Sequence, residues 1–218
     1  DRNADGHSVD VVYRPTEKLR LETVFLTSNV NQGFDGTETS GDAFRFRLTA
    51  SPRQGQWHDM GIFFFDEEVD INDMGYQMTN NWLFIGGHNG LKFTDFKESS
   101  AFLSTEYILG LGYEGNADLD KSGIFMHLTN KSTFKNTSGL EFGGFHRSAS
   151  KDYWITRGNI DSPFVKKPEN YGTSLQYMGP SKDFFNYFLE VKREKGSQYG
   201  FSALGFVTSY TANIDVSP

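Results

Sequence analysis

Ala43-Phe44-Arg45-Phe46-Arg47-Leu48-Thr49-Ala50, followed by the turn Pro52-Arg53-Gln54-Gly55, carries the fold of this chain in its alternation. Successive side chains of an extended chain point to opposite sides. Phe44, Phe46, Leu48 and Ala50 therefore share one face, and Ala43, Arg45, Arg47 and Thr49 the other. Working outward, Leu19–Phe25 repeats the pattern, with Leu19, Leu21, Thr23 and Phe25 opposed to Arg20 and Glu22. In Ala101–Tyr113 the apolar set is Leu103, Tyr107, Leu109, Leu111 and Tyr113, against Ser104, Glu106, Gly110 and Gly112. The hairpin Gly123–Lys131 and Gly139–Arg147 sets Ile124, Met126, Leu128, Leu140 and Phe142 against His127, Lys131, Glu141 and Arg147. Phe184–Lys192 sets Phe185, Tyr187, Leu189 and Val191 against Asn186, Glu190 and Lys192. With the less regular segments Ser8–Arg14, Gln56–Phe65, Gln77–Lys92, Tyr171–Tyr177 and Tyr199–Tyr210, the chain reads as about eleven strands and no amphipathic helix.

The connections fall into two classes. Short turns lie at Pro15–Lys18, Pro52–Gly55, Thr94–Lys97, Thr133–Asn136 and Pro180–Asp183. Long connections lie at Asn29–Gly41, Asp66–Gly75, Glu114–Ser122 and Lys151–Asn170, with a tight fifth at Glu194–Ser197. Hairpins whose turns are short at one end and extended at the other read as an antiparallel up-and-down transmembrane β-barrel. The 218 residues form one domain on this reading, 1–218. The alternative is a soluble β-sandwich, which shows the same alternation.

Three features favour the barrel. Charges of both signs recur in mid-strand on the polar side, at Arg20, Glu22, Arg45, Arg47, Glu106, Glu141, Glu190 and Lys192, as a water-filled or salt-bridged lumen requires. Glycines fall inside strands, at Gly61, Gly86, Gly87, Gly110, Gly112, Gly143, Gly144 and Gly205, where curved barrels use them as bends. Aromatic residues gather near strand ends, among them Tyr13, Trp57, Trp82, Tyr113, Trp154, Tyr171, Tyr177 and Tyr210, as interfacial girdles do. Mean hydropathy is -0.53, and no window approaches the roughly 18 apolar residues of a membrane helix, so any crossing is made by strands. A net charge of -7 with dispersed Lys and Arg argues against nucleic acid as a partner. The chain has no Cys, which removes disulfides and thiolate metal sites.

The run Phe64-Phe65-Asp66-Glu67-Glu68-Val69-Asp70-Ile71-Asn72-Asp73-Met74-Gly75-Tyr76-Gln77-Met78-Thr79-Asn80-Asn81, with Lys151-Asp152-Tyr153-Trp154-Ile155-Thr156-Arg157-Gly158 downstream, resembles the domain of unknown function 5916 family. The resemblance covers the whole chain. It implies an outer-membrane β-barrel of Gram-negative envelopes, usually preceded by a signal peptide and a carbohydrate-binding module similar to family 9. Members are sometimes labelled membrane-associated hydrolases, but the family offers no established catalytic residues to carry over.

Chemical motifs are few. Gly110-Leu111-Gly112-Tyr113-Glu114-Gly115 spells a dinucleotide fingerprint, yet it ends a strand and enters a polar loop instead of opening a helix. His7, His58, His88, His127 and His146 have no metal-ligand spacing. His127 and Glu141 face the same side across the Thr133–Asn136 turn and are the one candidate acid–base pair, although an ordinary lumen hydrogen bond is the simpler reading. The loop Asp66-Glu67-Glu68-Val69-Asp70-Ile71-Asn72-Asp73 holds five carboxylates, the ligand type Ca²⁺ takes, without the calcium-loop spacing. A solvated acidic loop is the expectation there, with Ca²⁺ bridging to lipopolysaccharide as the alternative; no other cofactor is expected.

The expected function is that of an outer-membrane barrel with a structural, transport or anchoring role. Its partners would be membrane lipid and lipopolysaccharide, and a glycan or another envelope protein as further candidates. The alternative is an envelope hydrolase with a rim-located His and carboxylate, against which stands the lack of any recognisable nucleophile, base and oxyanion arrangement. Eleven strands are odd, whereas single-chain bacterial barrels are even, so the sequence is expected to be part of a larger barrel.

Overall fold

The computed structural model describes residues 3–31, 37–69, 81–116, 123–152, 165–180, 185–195 and 206–216. The strands are β1 (Asn3–Thr16), β2 (Leu19–Asn31), β3 (Glu38–Ala50), β4 (Gln56–Phe65), β5 (Trp82–Phe93), β6 (Phe102–Gly115) and β7 (Gly123–Phe134). They continue as β8 (Gly139–Arg147), β9 (Ser150–Asp152), β10 (Val165–Lys167), β11 (Asn170–Met178), β12 (Phe185–Lys195) and β13 (Phe206–Val216). Eleven form one antiparallel up-and-down sheet, β1-β2-β3-β4-β5-β6-β7-β8-β11-β12-β13, and β9 and β10 pair as a small separate ribbon. No helix of the described residues is long and apolar enough to cross a membrane.

Turn chemistry sets the short ends. Gly55 takes a φ of 75°, a left-handed conformation that costs other residues a steric penalty. It closes the β3–β4 turn, where Gln56 N donates to Arg53 O at 3.1 Å. At the β7–β8 turn Asn136 Oδ1 accepts from Ser138 N (3.1 Å) and Ser138 Oγ (2.6 Å), the local side-chain bond that makes Asn a turn former. Antiparallel order puts the β1–β2, β3–β4, β5–β6, β7–β8 and β11–β12 turns at one end of the sheet. The β2–β3, β4–β5, β6–β7, β8–β11 and β12–β13 connections lie at the other.

Several boundaries differ from those predicted. Asn29–Asn31 and Glu38–Gly41 are paired strand residues, so the β2–β3 connection is shorter than Asn29–Gly41. Glu194 and Lys195, predicted to open a tight turn at Glu194–Ser197, are strand residues paired with Val207 and Phe206, and 196–205 lie outside the described residues. The last described strand is Phe206–Val216, which runs past the predicted end at Tyr210, while 199–205 lie outside the described residues. Its continuation to Val216 follows from pairing with β12, which polarity alternation within the segment does not reveal. The motif Gly110–Gly115 lies wholly within β6, whose last residue is Gly115.

Register confirms one consistent sorting of faces. Phe25, Phe44, Phe64 and Leu83 stand in one cross-strand row, and Tyr113, Ile85, Ile62 and Phe46 in another. The apolar face is the exposed one. On β7, Ile124, Met126 and Leu128 are 58%, 47% and 50% exposed, while the alternate residues Phe125 and His127 are half-buried. Only Val30, Ala43 and Val69 are buried apolar residues among those described, so this sheet has no extended dry core. No second large sheet covers it, and β1 and β13 keep free outer edges among the described residues.

Candidate functional site

The polar face gathers the charged groups. Arg20, Glu22, Arg45, Arg47, Glu106, His127, Glu141, Glu190 and Lys192 all fall on it by register. They form neutralising pairs along the sheet. Arg20 contacts Glu22, and Arg45 reaches the same carboxylate at 3.7 Å. Arg47 on β3 donates two hydrogen bonds to Asp59 on β4, Nε to Oδ1 at 2.8 Å and Nη2 to Oδ2 at 2.6 Å. Lys131 and Glu141, directly opposed on β7 and β8, meet at 3.3 Å. Gln176 donates to Glu190 at 2.9 Å, and Lys192 meets Glu194 at 2.6 Å. Such fork-like and charge-assisted bonds fix side-chain geometry on a half-exposed surface.

Glycines let side chains on this face reach beyond the adjacent strand. Neighbouring strands are about 4.8 Å apart, so groups two strands away meet only over a residue lacking a side chain. Trp57 on β4 lies against Gly90 of β5 and donates Nε1–H to Glu106 Oε1 on β6 at 2.8 Å. His88 on β5 and His127 on β7 approach to 4.8 Å between ring centroids, and a Cβ on the intervening Gly110 would run into the His127 ring. Phe84 and Phe125 stack at 5.8 Å over Gly112 in the same way. They continue a track of rings through Trp82, Phe63 and Phe65 toward the long-connection end.

His127 and Glu141 share this face, but their predicted pairing is not formed. Glu141 stands opposite Lys131, four residues along β7 from His127 or about 13 Å at the rise of a strand. His127 packs on His88 instead. The tryptophans Trp57 and Trp82, predicted for an interfacial girdle, also sit on the polar face, where their indole N–H groups reach Glu106 (2.8 Å) and Glu114 (3.3 Å). An aromatic ring with a polar handle goes where the handle finds an acceptor. Tyr13, Tyr113, Tyr171, Tyr177 and Tyr210 do lie on the apolar face.

Trp57, Asp59, His88 and Gln176 belong to this network, whereas in the sequence Trp57 reads as a girdle residue, His88 counts only among histidines without metal-ligand spacing, and neither Asp59 nor Gln176 is singled out. Their signal was parity: Trp57, Asp59 and Gly61 share a face, but β4 carries aromatic residues on both sides and does not declare which side is polar.

Of the candidate calcium ligands, Asp66, Glu67 and Glu68 are described, whereas Asp70 and Asp73 lie outside the described residues, as does Trp154. The Asp66 carboxylate is engaged by backbone. Oδ1 accepts from Glu68 N (3.0 Å) and Val69 N (2.7 Å), and Oδ2 from Asp42 N (2.6 Å). This folds the loop back so that the Val69 backbone sits against Gly41, where any Cβ would overlap it. Among the described residues no three His, Asp or Glu side chains converge as a metal site.

A different His–carboxylate pair exists at the long-connection end of the apolar face: His146 Nε2 and Glu169 Oε1 are 2.8 Å apart. Sequence spacing gave no hint of it, because Glu169 precedes β11 and meets β8 only through sheet pairing.

The family model described as Domain of unknown function (DUF5916) matches residues 1–214. No curated protein and no solved structure matches the chain.

Proposed function

The chain belongs to the DUF5916 family, whose description assigns no activity, and we propose that its sheet is the wall of a transmembrane β-barrel in a bacterial outer membrane, with a structural, transport or anchoring role. The observation that carries this is the inverted polarity of the sheet. Leu109, Leu111, Met126, Leu128, Phe142, Leu175, Leu189 and Val191 are each 38–50% exposed on one face, while paired charges line the more enclosed face. A sandwich buries its apolar face against a second sheet. Hydrocarbon is the solvent that suits an apolar face left open. On this reading the charged ladder lines a lumen, and membrane lipid and lipopolysaccharide contact the apolar band.

The free edges of β1 and β13 belong to the same proposal. In a bilayer, unpaired backbone N–H and C=O groups cost several kcal/mol each, so the wall has to close. The two edge strands are the first and eleventh of an antiparallel order and run in the same direction. Antiparallel closure therefore takes an odd number of further strands, giving an even total.

The test is insertion. The full-length gene product should fractionate with outer membranes and migrate differently on gels before and after boiling. Cysteines placed at Leu128 and Thr129 should differ, the first quenched by lipid-soluble agents and the second reacting with water-soluble ones. Water-accessible labelling at both positions sinks the barrel.

A second reading, an envelope hydrolase, draws on the His146–Glu169 pair at the rim, since a carboxylate orients an imidazole for base chemistry. Among the described residues no hydroxyl hydrogen-bonds His146, so a nucleophile would have to come from elsewhere. Retention of any hydrolytic activity in His146→Ala would end that reading.

A further inference from the structure

The apolar face changes character toward the long-connection end of β11, β12 and β13. Leu175 and Val191, 47% and 43% exposed, give way within four residues to Tyr171, Arg193, Lys195 and Phe206. Arg193 lies over the Phe206 ring at 4.8 Å and Lys195 over Tyr171 at 5.6 Å, and the two rings meet edge to face at 5.9 Å. A cleft of about 410 Å³ opens here, lined by Met126, Leu128, His146, Tyr171, Arg193 and Phe206 among others, and Lys195 stands beside it on the Tyr171 ring. Five cations of the opposite face, Arg20, Arg45, Arg47, Lys131 and Lys192, each contact a carboxylate. Among the described residues Arg193 and Lys195 contact none, and the nearby carboxylate of Glu169 is bonded to His146.

We propose that this cleft holds the phosphate-bearing headgroup of a membrane lipid, whose acyl chains run down the adjoining stripe of Phe142, Leu175 and Val191. The proposal rests on the barrel reading. Three physical features select this occupant. Two cations without carboxylates call for an anion, and a guanidinium fork matches phosphate oxygens. Rings that hold their aliphatic stems and charges in place reduce the ordering cost of binding. An apolar stripe directly below means that the anion must carry hydrocarbon, as cations and aromatic rings flanking an apolar band do at the water–lipid boundary.

The experiment folds the full-length protein into phosphatidylcholine vesicles containing a minor fraction of phosphatidylglycerol. The protein is then extracted in mild detergent, and the retained lipids are weighed by native mass spectrometry. The wild type should be enriched in phosphatidylglycerol. Arg193→Gln and Lys195→Gln should each lower that enrichment about fivefold and together about twenty-five-fold, whereas Lys195→Arg should keep it. Millimolar inorganic phosphate should not displace the lipid. Wild-type enrichment in the double variant, or displacement by free phosphate, would overturn the headgroup site. Protein that shows heat-dependent gel mobility yet retains the two lipids in their bulk ratio defeats this site alone. Protein that never enters vesicles defeats the barrel and the site together.

Discussion

The indole N–H of Trp57 crosses a whole strand to reach the carboxylate of Glu106, 2.8 Å away, by lying on Gly90. This contact ties β4 to β6 without involving the backbone of either. It depends on three residues far apart in sequence, each unremarkable alone. Trp57→Phe keeps an aromatic ring, loses the pyrrole half of the indole and with it the donor, and should cost about 1.5–3 kcal/mol, the usual loss for a hydrogen bond to a charged acceptor. The midpoint of urea unfolding in detergent measures it; an unchanged midpoint would mean that water replaces the indole at no cost.

The Arg47–Asp59 fork should behave as a unit. Asp59→Asn or Arg47→Met alone leaves a half-buried charge without its partner, and each should destabilise by about 1–3 kcal/mol. The double variant should lose less than the sum of the two. Strict additivity in that cycle would show that the fork holds the strands no better than its separate parts.

Two glycines separate tolerance from intolerance. A Cβ on Gly144 meets nothing nearer than 3.9 Å, so Gly144→Ala should be neutral or stabilising by about 0.5–1 kcal/mol. At Gly87 the same atom would overlap the backbone of Asp59 and Met60, with the Met60 Cα only 2.6 Å away. Backbone cannot swing aside, and Gly87→Ala should cost about 1–3 kcal/mol through strand displacement. Equal unfolding midpoints for the two variants would contradict the packing at the β4–β5 seam.

Leu128 is 50% exposed in the middle of β7, which makes it a probe of solvent. In water, Leu128→Arg should change stability by no more than about 0.5 kcal/mol. Facing hydrocarbon, the same change should cost about 2–4 kcal/mol. Thr129→Arg, on the polar face, should be mild in both settings. Measured in vesicles, a neutral Leu128→Arg would remove the main physical support for a lipid-facing surface.

Two-residue alternation made much of this protein legible from its sequence. The pleat is a local, covalent property, so Arg45, Arg47, Glu106, Glu141 and Lys192 could be assigned to one face before any pairing was known. Turn residues such as Gly55 and Asn136 likewise declare themselves, because their conformations are decided within four residues. Register was not legible, since it is a relation between strands. It lengthened β12 to Lys195, carried the last strand on to Val216, and gave Glu141 to Lys131 in place of His127. The contacts over glycine, Trp57 with Glu106 and His88 with His127, lay further out of reach, because they require three strands in fixed alignment. Alternation along each strand is enough to say which residues share a face; which of them touch belongs to the assembled sheet, because cross-strand alignment is set by the summed hydrogen bonding and packing of whole strands.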